Sequence, residues 1–315
     1  MVQEKDLIIL CGPTAVGKTA AAIELALKIG AEIISADSGQ IYRGMDIGTA
    51  KPTLKERRGV PIHLIDILDP DQSFSAAEFR RLALQAIEEI QSRGKKIVIV
   101  GGTGLYLRAL EMGLFEGPPR DPKIREGLEN EIRENGVEAL HRELQKVDPE
   151  AATLIPSKNR QRLIRALEVY RLTGKPISMH WKEHRLSTGG ERLFSFKKMG
   201  LRLPKEELHQ RIDTRVKLML QQGWVEEVRP LLEKWGDDAP GLQLIGYKET
   251  VSFLRGKITL EKAVEQIKLN TRRYAKRQMT WFRRDHEIQW LDKVSLVDKV
   301  DRNFLCHRPF QRVKR

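Results

Sequence analysis

The stretch Gly12-Pro13-Thr14-Ala15-Val16-Gly17-Lys18-Thr19 decides how the rest of the chain is read. An apolar run, Leu7-Ile8-Ile9-Leu10-Cys11, precedes it, and a helix-forming segment from Ala20 to Lys28 follows. The spacing G-x-x-x-x-G-K-T between a strand and a helix is that of a loop that cradles phosphates. The glycines let the backbone close around an anion, and the first N–H groups of the helix point at it. Lys18 adds a point charge, and the Thr19 hydroxyl can ligate a magnesium ion. The eight residues from Gly12 to Thr19 are therefore expected to bind a diphosphate or polyphosphate.

Working outward, strands alternate with helices. Ala31-Glu32-Ile33-Ile34-Ser35-Ala36 predicts a second strand ending at Asp37-Ser38, and Pro61 to Asp66 a third. Lys96-Ile97-Val98-Ile99-Val100 is near-continuously apolar, as a central parallel strand should be, and runs into Gly101-Gly102-Thr103-Gly104-Leu105-Tyr106. A helix is predicted from Ser75 to Arg93, with Ser75 and Glu78 spaced as a capping box. This alternation argues for an α/β fold, a P-loop NTPase-like parallel sheet flanked by helices. Ligands of such sheets sit beyond the carboxyl ends of the strands. The phosphate loop, Asp37-Ser38 and Thr103 would share that edge, which makes it the candidate active site. The segment from Gln40 to Pro52 reads as a long loop, a length that often marks function.

Gly117-Pro118-Pro119 breaks the pattern. Helices are predicted from Asp121 to Asn135, Gly136 to Lys146 and Asn159 to Leu172, the last stopped by Gly174-Lys175-Pro176. Residues 118–194 thus read as an all-helical insertion in a core of residues 1–117 and 195–300, followed by a basic tail, 301–315. Ser195 to Leu203 looks like a strand returning to the sheet. Pro204 begins a helix that carries Arg211 and Arg215 and ends near Gly223. Leu242-Gln243-Leu244-Ile245-Gly246-Tyr247-Lys248 is a short motif before another helix. Leu260 to Arg284 reads as one long helix. Between Lys268 and Arg284 it holds seven basic residues and no acidic one. At about 100° per residue these fall within half of the circumference, while Ile267, Tyr274, Gln278 and Trp281 take the packing half.

The 315 residues include 56 Lys and Arg against 43 Asp and Glu, a formal +13, and the span from Lys268 to Arg284 supplies over half of that excess. Such an acid-free run favours a nucleic-acid track over a solvated face or a membrane-surface helix. No apolar run is long enough to span a membrane, and Glu4, Lys5 and Asp6 interrupt the apolar start. Of the two cysteines, Cys11 lies in a strand and Cys306 in the tail, which disfavours a disulfide framework or a zinc site. A cytoplasmic protein is expected. His180, Glu183 and His184 match H-x-x-E-H, but no further ligand is marked by spacing, so no metal role is assigned to them. Asp37 could help hold magnesium, act as a general base, or cap the next turn. The fourth strand ends in Gly101-Gly102-Thr103 rather than the acidic pair of motor ATPases, which counts against a hydrolase.

Taken together, several motifs resemble the tRNA dimethylallyltransferase family. They are the phosphate loop, Asp37-Ser38 with Gln40 to Pro52, Gly101 to Tyr106, Asp121-Pro122 with Arg125, Gln161 to Val169, Ile245-Gly246-Tyr247 and Lys276 to Trp281. They run in family order from residue 7 to about 292, and the loop ending in Gly48-Thr49-Ala50-Lys51-Pro52 is the most specific of them. The resemblance implies transfer of a dimethylallyl group from dimethylallyl diphosphate to the exocyclic amine of the adenosine immediately 3′ of the anticodon, in tRNAs that read codons beginning with U. It implies Asp37 as base, Thr103 beside the target adenine, Arg215 on the diphosphate and Mg2+ held through Thr19. It also implies an RNA path along Asp37, Ser38, Gly39 and Gln40; Arg125; Gln161, Arg162, Leu163, Ile164 and Arg165; Gln243, Leu244, Ile245, Gly246, Tyr247 and Lys248; and Arg272, Arg273, Lys276, Arg277 and Arg283. The anticodon stem-loop and the donor would be the partners, with no membrane and no stable protein partner. The loop is of the nucleotide-binding kind, yet this chemistry needs no ATP. The rival readings are a small-molecule kinase, an enzyme that prenylates free adenine nucleotides, and a non-catalytic RNA-binding switch.

Overall fold

β1 (Leu7–Cys11) is buried along its whole length, and its alternate side chains enter two different cores. In the computed structural model, which describes residues 7–113, 115, 117–187 and 193–291, β1 leads to α1 (Lys18–Ile29), β2 (Ala31–Ser35), the one-turn α2 (Leu54–Arg57), β3 (Ile62–His63), α3 (Ala76–Ser92), β4 (Lys96–Gly101) and α4 (Gly104–Met112). Then come α5 (Pro122–Asn135), α6 (Val137–Val147), α7 (Pro149–Leu154), α8 (Arg160–Thr173) and α9 (Ile177–Ser187). The chain returns through β5 (Phe196–Leu201), α10 (Lys205–Gln221), α11 (Trp224–Trp235), α12 (Tyr247–Leu254), α13 (Leu260–Phe282) and β6 (Gln289–Leu291). The expected tail, 301–315, lies outside the described residues, as does Cys306.

The strands form a six-stranded sheet in the order β3-β2-β4-β1-β5-β6, with every pairing parallel. Because strand side chains alternate, Ile8 and Leu10 of β1 pack with Val98 and Val100 of β4 under α1 and α10. Leu7, Ile9, Ile97 and Ile99 face the opposite layer, where Phe79 and Ile87 of α3 and Leu107 of α4 cover them. Helices on both faces explain why these strands read as unbroken apolar runs. The α/β parallel sheet expected from the sequence is the fold observed.

The third strand is shorter than the predicted Pro61–Asp66. Leu64 (φ 60°) and Asp66 (φ 57°) are left-handed, which takes the chain out of the extended region after His63. The capping box at Ser75 is present, the Glu78 carboxylate accepting the Ser75 N–H at 2.7 Å and Ser75 Oγ accepting the Glu78 N–H at 3.1 Å. α11 was not anticipated because Pro230 sits inside it, and an internal proline argues against a helix.

By its contacts the chain divides into two compact units, Met1–Glu111 with Leu193–Arg315 and Met112–Arg192. In the second, α5, α6 and α8 bury Leu128, Leu140, Leu144, Leu163 and Leu167 in a core of their own. In the first, a third apolar cluster ties the loop after β2 to the later helices, joining Ile41, Tyr42 and Met45 to Trp224, Val228, Leu242 and Tyr247. The long loop is therefore packed, not free. No helix among the described residues is long and apolar enough to cross a membrane.

Candidate active site

The phosphate loop leaves β1 through a conformation that only glycine tolerates well. Gly12 has φ 145°, and a Cβ there would lie 2.5 Å from the Leu201 carbonyl oxygen. Gly17, at φ 98°, turns the chain into α1, whose first residues are Lys18 and Thr19. The Lys18 ammonium donates to the Pro13 carbonyl at 2.8 Å, across the loop. Burial lowers its pKa to about 8, against the pull of the Asp37 carboxylate. Lys18, Thr19, Asp37 and Arg215 line one cavity of about 670 Å³. Burial also pulls the Arg215 guanidinium below its ordinary value, with Asp37 again opposing.

Asp37 follows β2, and its Oδ1 accepts the backbone N–H groups of Gly39 (2.8 Å) and Gln40 (3.4 Å). The turn-capping geometry is thus real, and both of these bonds use the same oxygen. Thr103 reaches the same edge because β2 and β4 end in contact. A Cβ on Gly101 would lie 2.1 Å from the Ala36 carbonyl oxygen, so only glycine permits that approach. The Thr103 hydroxyl oxygen accepts the Ser38 N–H at 3.2 Å. Asp37, Ser38, Lys18 and Arg215 also line a second cavity of about 200 Å³. The rest of its wall is mixed, an apolar group of Val216, Met219, Trp224, Leu244, Ile245 and Ile267 beside the polar Thr14, Thr49, Tyr247, Thr271, Tyr274 and Gln278. Lys18 and Arg215 suit an anionic group, and the apolar residues leave room for an apolar one beside it.

Several residues that hold this site were missed in the sequence. The Glu227 carboxylate accepts the N–H groups of Asp46 (2.9 Å), Ile47 (2.6 Å) and Gly48 (3.3 Å) and the Tyr247 hydroxyl (2.6 Å). One carboxylate thereby fixes the specific part of the long loop. Trp224 is wedged where a Cβ on Gly48 or Gly246 would clash, at 2.2 and 2.3 Å. Tyr274 lines the smaller cavity, and burial beside Asp37 pushes its phenol up to about 12. Nothing local marks Glu227 or Trp224. Gln278 lay on the packing half of its helix, and a buried amide there requires polar partners.

The IPP transferase family model matches residues 40–285. A tRNA dimethylallyltransferase of Thermomicrobium roseum is 51% identical over 294 residues, covering 93% of this chain and 88% of its own. The chain belongs to the IPP transferase family. A second relative, the tRNA dimethylallyltransferase of Geobacter metallireducens, is 48% identical over 95% of this chain and 96% of its own. The tRNA isopentenylpyrophosphate transferase structure from Bacillus halodurans is 42% identical, with a TM-score of 0.69, covering 94% of this chain and 95% of that one. A eukaryotic dimethylallyltransferase acting on tRNA has a TM-score of 0.77 at 31% identity, over 98% of this chain and 81% of that one.

The positions that the IPP transferase resemblance marks for RNA fall into two groups. Gln161, Arg162, Gln243, Lys248, Arg273, Lys276, Arg277 and Arg283 are exposed. Others are buried or already paired within the protein. Leu163 and Ile164 point into the helical core, because α8 turns that face inward. Gln40 is buried, its Oε1 accepting from Ser35 Oγ at 3.2 Å and its Nε2 donating to the Ala50 carbonyl at 3.3 Å. Gly39, Gly246 and Tyr247 are buried, and Tyr247 lines the smaller cavity with Leu244 and Ile245. Arg125 and Arg165 both grip the fully buried Glu168, at 2.7 and 2.8 Å, and hold its carboxylate below its usual range against the opposing cost of burial. Arg272 is half-buried and paired with Asp213. Trp281 departs from the expectation in the other direction, being 40% exposed. His180 stacks on Phe115 with ring centroids 4.6 Å apart, and Glu183 pairs with Lys175.

Proposed function

We propose that this chain is a tRNA dimethylallyltransferase that moves the dimethylallyl group of dimethylallyl diphosphate to the N6 amine of the adenosine immediately 3′ of the anticodon, in tRNAs that read codons beginning with U. The observation that carries the reading is the smaller cavity. Lys18, Arg215 and Asp37 line it together with an apolar group, Val216, Met219, Trp224, Leu244, Ile245 and Ile267.

The phosphate loop, Gly12 to Thr19, holds the diphosphate. As the carbon–oxygen bond of the donor breaks, negative charge grows on the leaving oxygen, and Lys18 with Arg215 stabilises it. The adenine amine is a weak nucleophile, because its lone pair is delocalised into the ring. Asp37 takes the amine proton as the new carbon–nitrogen bond forms. Thr103 holds the turn at Ser38 in place beside that carboxylate, and in-line placement of the amine supplies much of the rate. The target base must leave its stack to reach the edge.

The donor set fits magnesium. Magnesium keeps several waters and is bound through one or two protein oxygens together with phosphate oxygens, so a hydroxyl at a phosphate loop suits it. Thr19 and Asp37 both line the larger cavity, and among the described residues no cluster of three His, Cys, Asp or Glu makes a separate cage. When bound, the ion adds positive charge to neutralise the departing diphosphate.

RNA binds on the exposed basic residues of α13, with Gln161, Arg162, Gln243 and Lys248 as further contacts and residues 118–194 as an RNA-contacting unit. The test supplies dimethylallyl diphosphate and magnesium without ATP and follows diphosphate release. Release that depends on unmodified tRNA is expected. Release driven by AMP alone would move the reading to a free-nucleotide enzyme, and no release with either would overturn it.

A further inference from the structure

The loop that follows β2 already holds an anion, and it is one of the protein's own. Asp46, Ile47 and Gly48 offer three consecutive backbone N–H groups, and all three donate to the Glu227 carboxylate. Oε2 accepts at 2.9 and 2.6 Å and Oε1 at 3.3 Å. Successive N–H groups that converge in this way form an anion-binding concavity. Oε1 also accepts the Tyr247 hydroxyl at 2.6 Å. Burial, with the carboxylate beside it, pushes the Tyr247 phenol well above its ordinary value, so it stays a donor.

The rest of the loop is held as firmly. The Lys51 N–H donates to the Asp46 carbonyl and the Ala50 N–H to the Ile47 carbonyl, each at 2.9 Å. The buried Lys51 ammonium donates to the Tyr42 carbonyl at 2.7 Å and pairs with Asp46 and Asp66. Asp46, Ile47 and Thr49 to Pro52 line the larger cavity together with Lys18, Thr19 and Arg215. Gly48 and Thr49 line the smaller one. Glu227 lines neither, yet its bonds hold the wall that both share.

We propose that Glu227 is a positioning residue for the diphosphate site, which fills the three N–H groups and so keeps Asp46 to Pro52 in the arrangement that lines the cavity. The inference rests on the reading of this site as a diphosphate site, and it holds for whichever acceptor that site serves. Without the carboxylate the three N–H groups need water. Loop arrangements that supply it then compete, and the apparent affinity falls with the fraction left competent. An amide is a poorer substitute, because its one oxygen cannot accept all three N–H groups and its NH2 opposes the one left over.

The test measures binding of inorganic diphosphate with magnesium by calorimetry, without RNA, beside thermal melting of each protein. Glu227→Ala is expected to bind about ten-fold or more weakly at a temperature where it is fully folded, since three bonds to a charged group are lost. Acetate, compared with chloride at equal ionic strength, should recover most of that loss and change nothing in the parent. Glu227 is only partly buried, so a small carboxylate can reach the vacated N–H groups. If Glu227→Ala does not melt cooperatively, Glu227→Gln decides, with a loss of about three-fold or more expected from the one unpaired N–H. A role in stability alone would lower the melting temperature and leave the affinity of the folded protein at the parent's level. That result would overturn the proposal, as would a loss in Glu227→Ala that acetate leaves untouched. No binding by the parent would overturn it together with the transferase reading. Because neither prenyl donor nor tRNA is present, the transferase reading can fail in its own assay while a Glu227 effect stands, and the reverse.

Discussion

The side-chain carbonyl of Gln278 accepts the backbone N–H of Thr14 at 2.8 Å, which ties the basic helix α13 directly to the phosphate loop. The same amide donates through Nε2 to the Gly102 carbonyl at 2.9 Å. Its orientation is set by chemistry, since the acceptor must face the N–H and the donor the C=O. Gln278→Glu keeps one acceptor but opposes the Gly102 carbonyl and adds negative charge beside the diphosphate site. Each buried group left unpaired costs about 1–3 kcal/mol. Steady-state kinetics of this variant are expected to show a donor KM raised about ten-fold or more, with the KM for tRNA changed less. An unchanged donor KM would mean that the clamp does not shape the loop.

Asp37→Asn separates the two roles of that residue. The amide oxygen can still accept from Gly39 and Gln40, so the turn is preserved, but the general base is lost. Removal of a general base typically costs 10²–10⁴-fold, so single-turnover transfer should slow by about that range. The dissociation constant for tRNA should stay near that of the parent. Comparable losses in binding and rate would assign Asp37 to structure alone.

Lys18 predicts an alkaline limb. Burial holds its pKa near 8 in the free protein, and a bound anion favours the charged form. As pH rises through about 8 the charge is lost and kcat/KM for the donor should fall. Lys18→Arg carries a guanidinium that stays protonated, so its profile should lose that limb even if its activity is lower. A pH–rate series on both proteins checks the sign.

The exposed cations of α13 predict a salt effect. Replacing Arg273, Lys276, Arg277 and Arg283 together by Gln should weaken tRNA binding and flatten the dependence of log K on log salt. Each lost phosphate contact accounts for about 0.7–0.9 of slope. Titrations at several salt concentrations measure it directly, and an unaltered slope would remove the RNA track from this helix.

Gly48 predicts a packing effect. A Cβ there would lie 2.2 Å from Trp224 Nε1 and 2.6 Å from Tyr247 Cε2, both on buried rings that cannot easily shift. Gly48→Ala is expected to destabilise by about 1–3 kcal/mol through overpacking. It should also raise the donor KM, because Gly48 and Trp224 share the smaller cavity. Thermal denaturation and donor titration read the two effects separately.

What the sequence disclosed follows from how local each signal is. The strand–loop–helix at Gly12 to Thr19, the Ser75–Glu78 cap and the apolar run of β4 are written in a few adjacent residues, and each of these elements is present in the structure. The sheet edge that gathers Lys18, Asp37 and Thr103 followed from strand alternation alone. Glu227 was invisible because its partners, Asp46 to Gly48, lie about 180 residues away. That Arg125 and Arg165 converge on the buried Glu168 was likewise invisible, since Arg125 and Glu168 lie 43 residues apart. Helical spacing put Trp281 with the packing residues, and its ring does lie against the Gly104 backbone, yet it remains 40% exposed. The shortened β3 turned on two left-handed residues, Leu64 and Asp66, whose side chains give no warning of that backbone.

The most direct test of the account is mass spectrometry of nuclease-digested tRNA after incubation with the protein, magnesium and dimethylallyl diphosphate, with ATP left out. The account predicts one added dimethylallyl group on a single adenosine, mapped to the position immediately 3′ of the anticodon, and its loss with Asp37→Asn. Unmodified tRNA, alongside ATP consumption when ATP and a small acceptor are supplied, would contradict it.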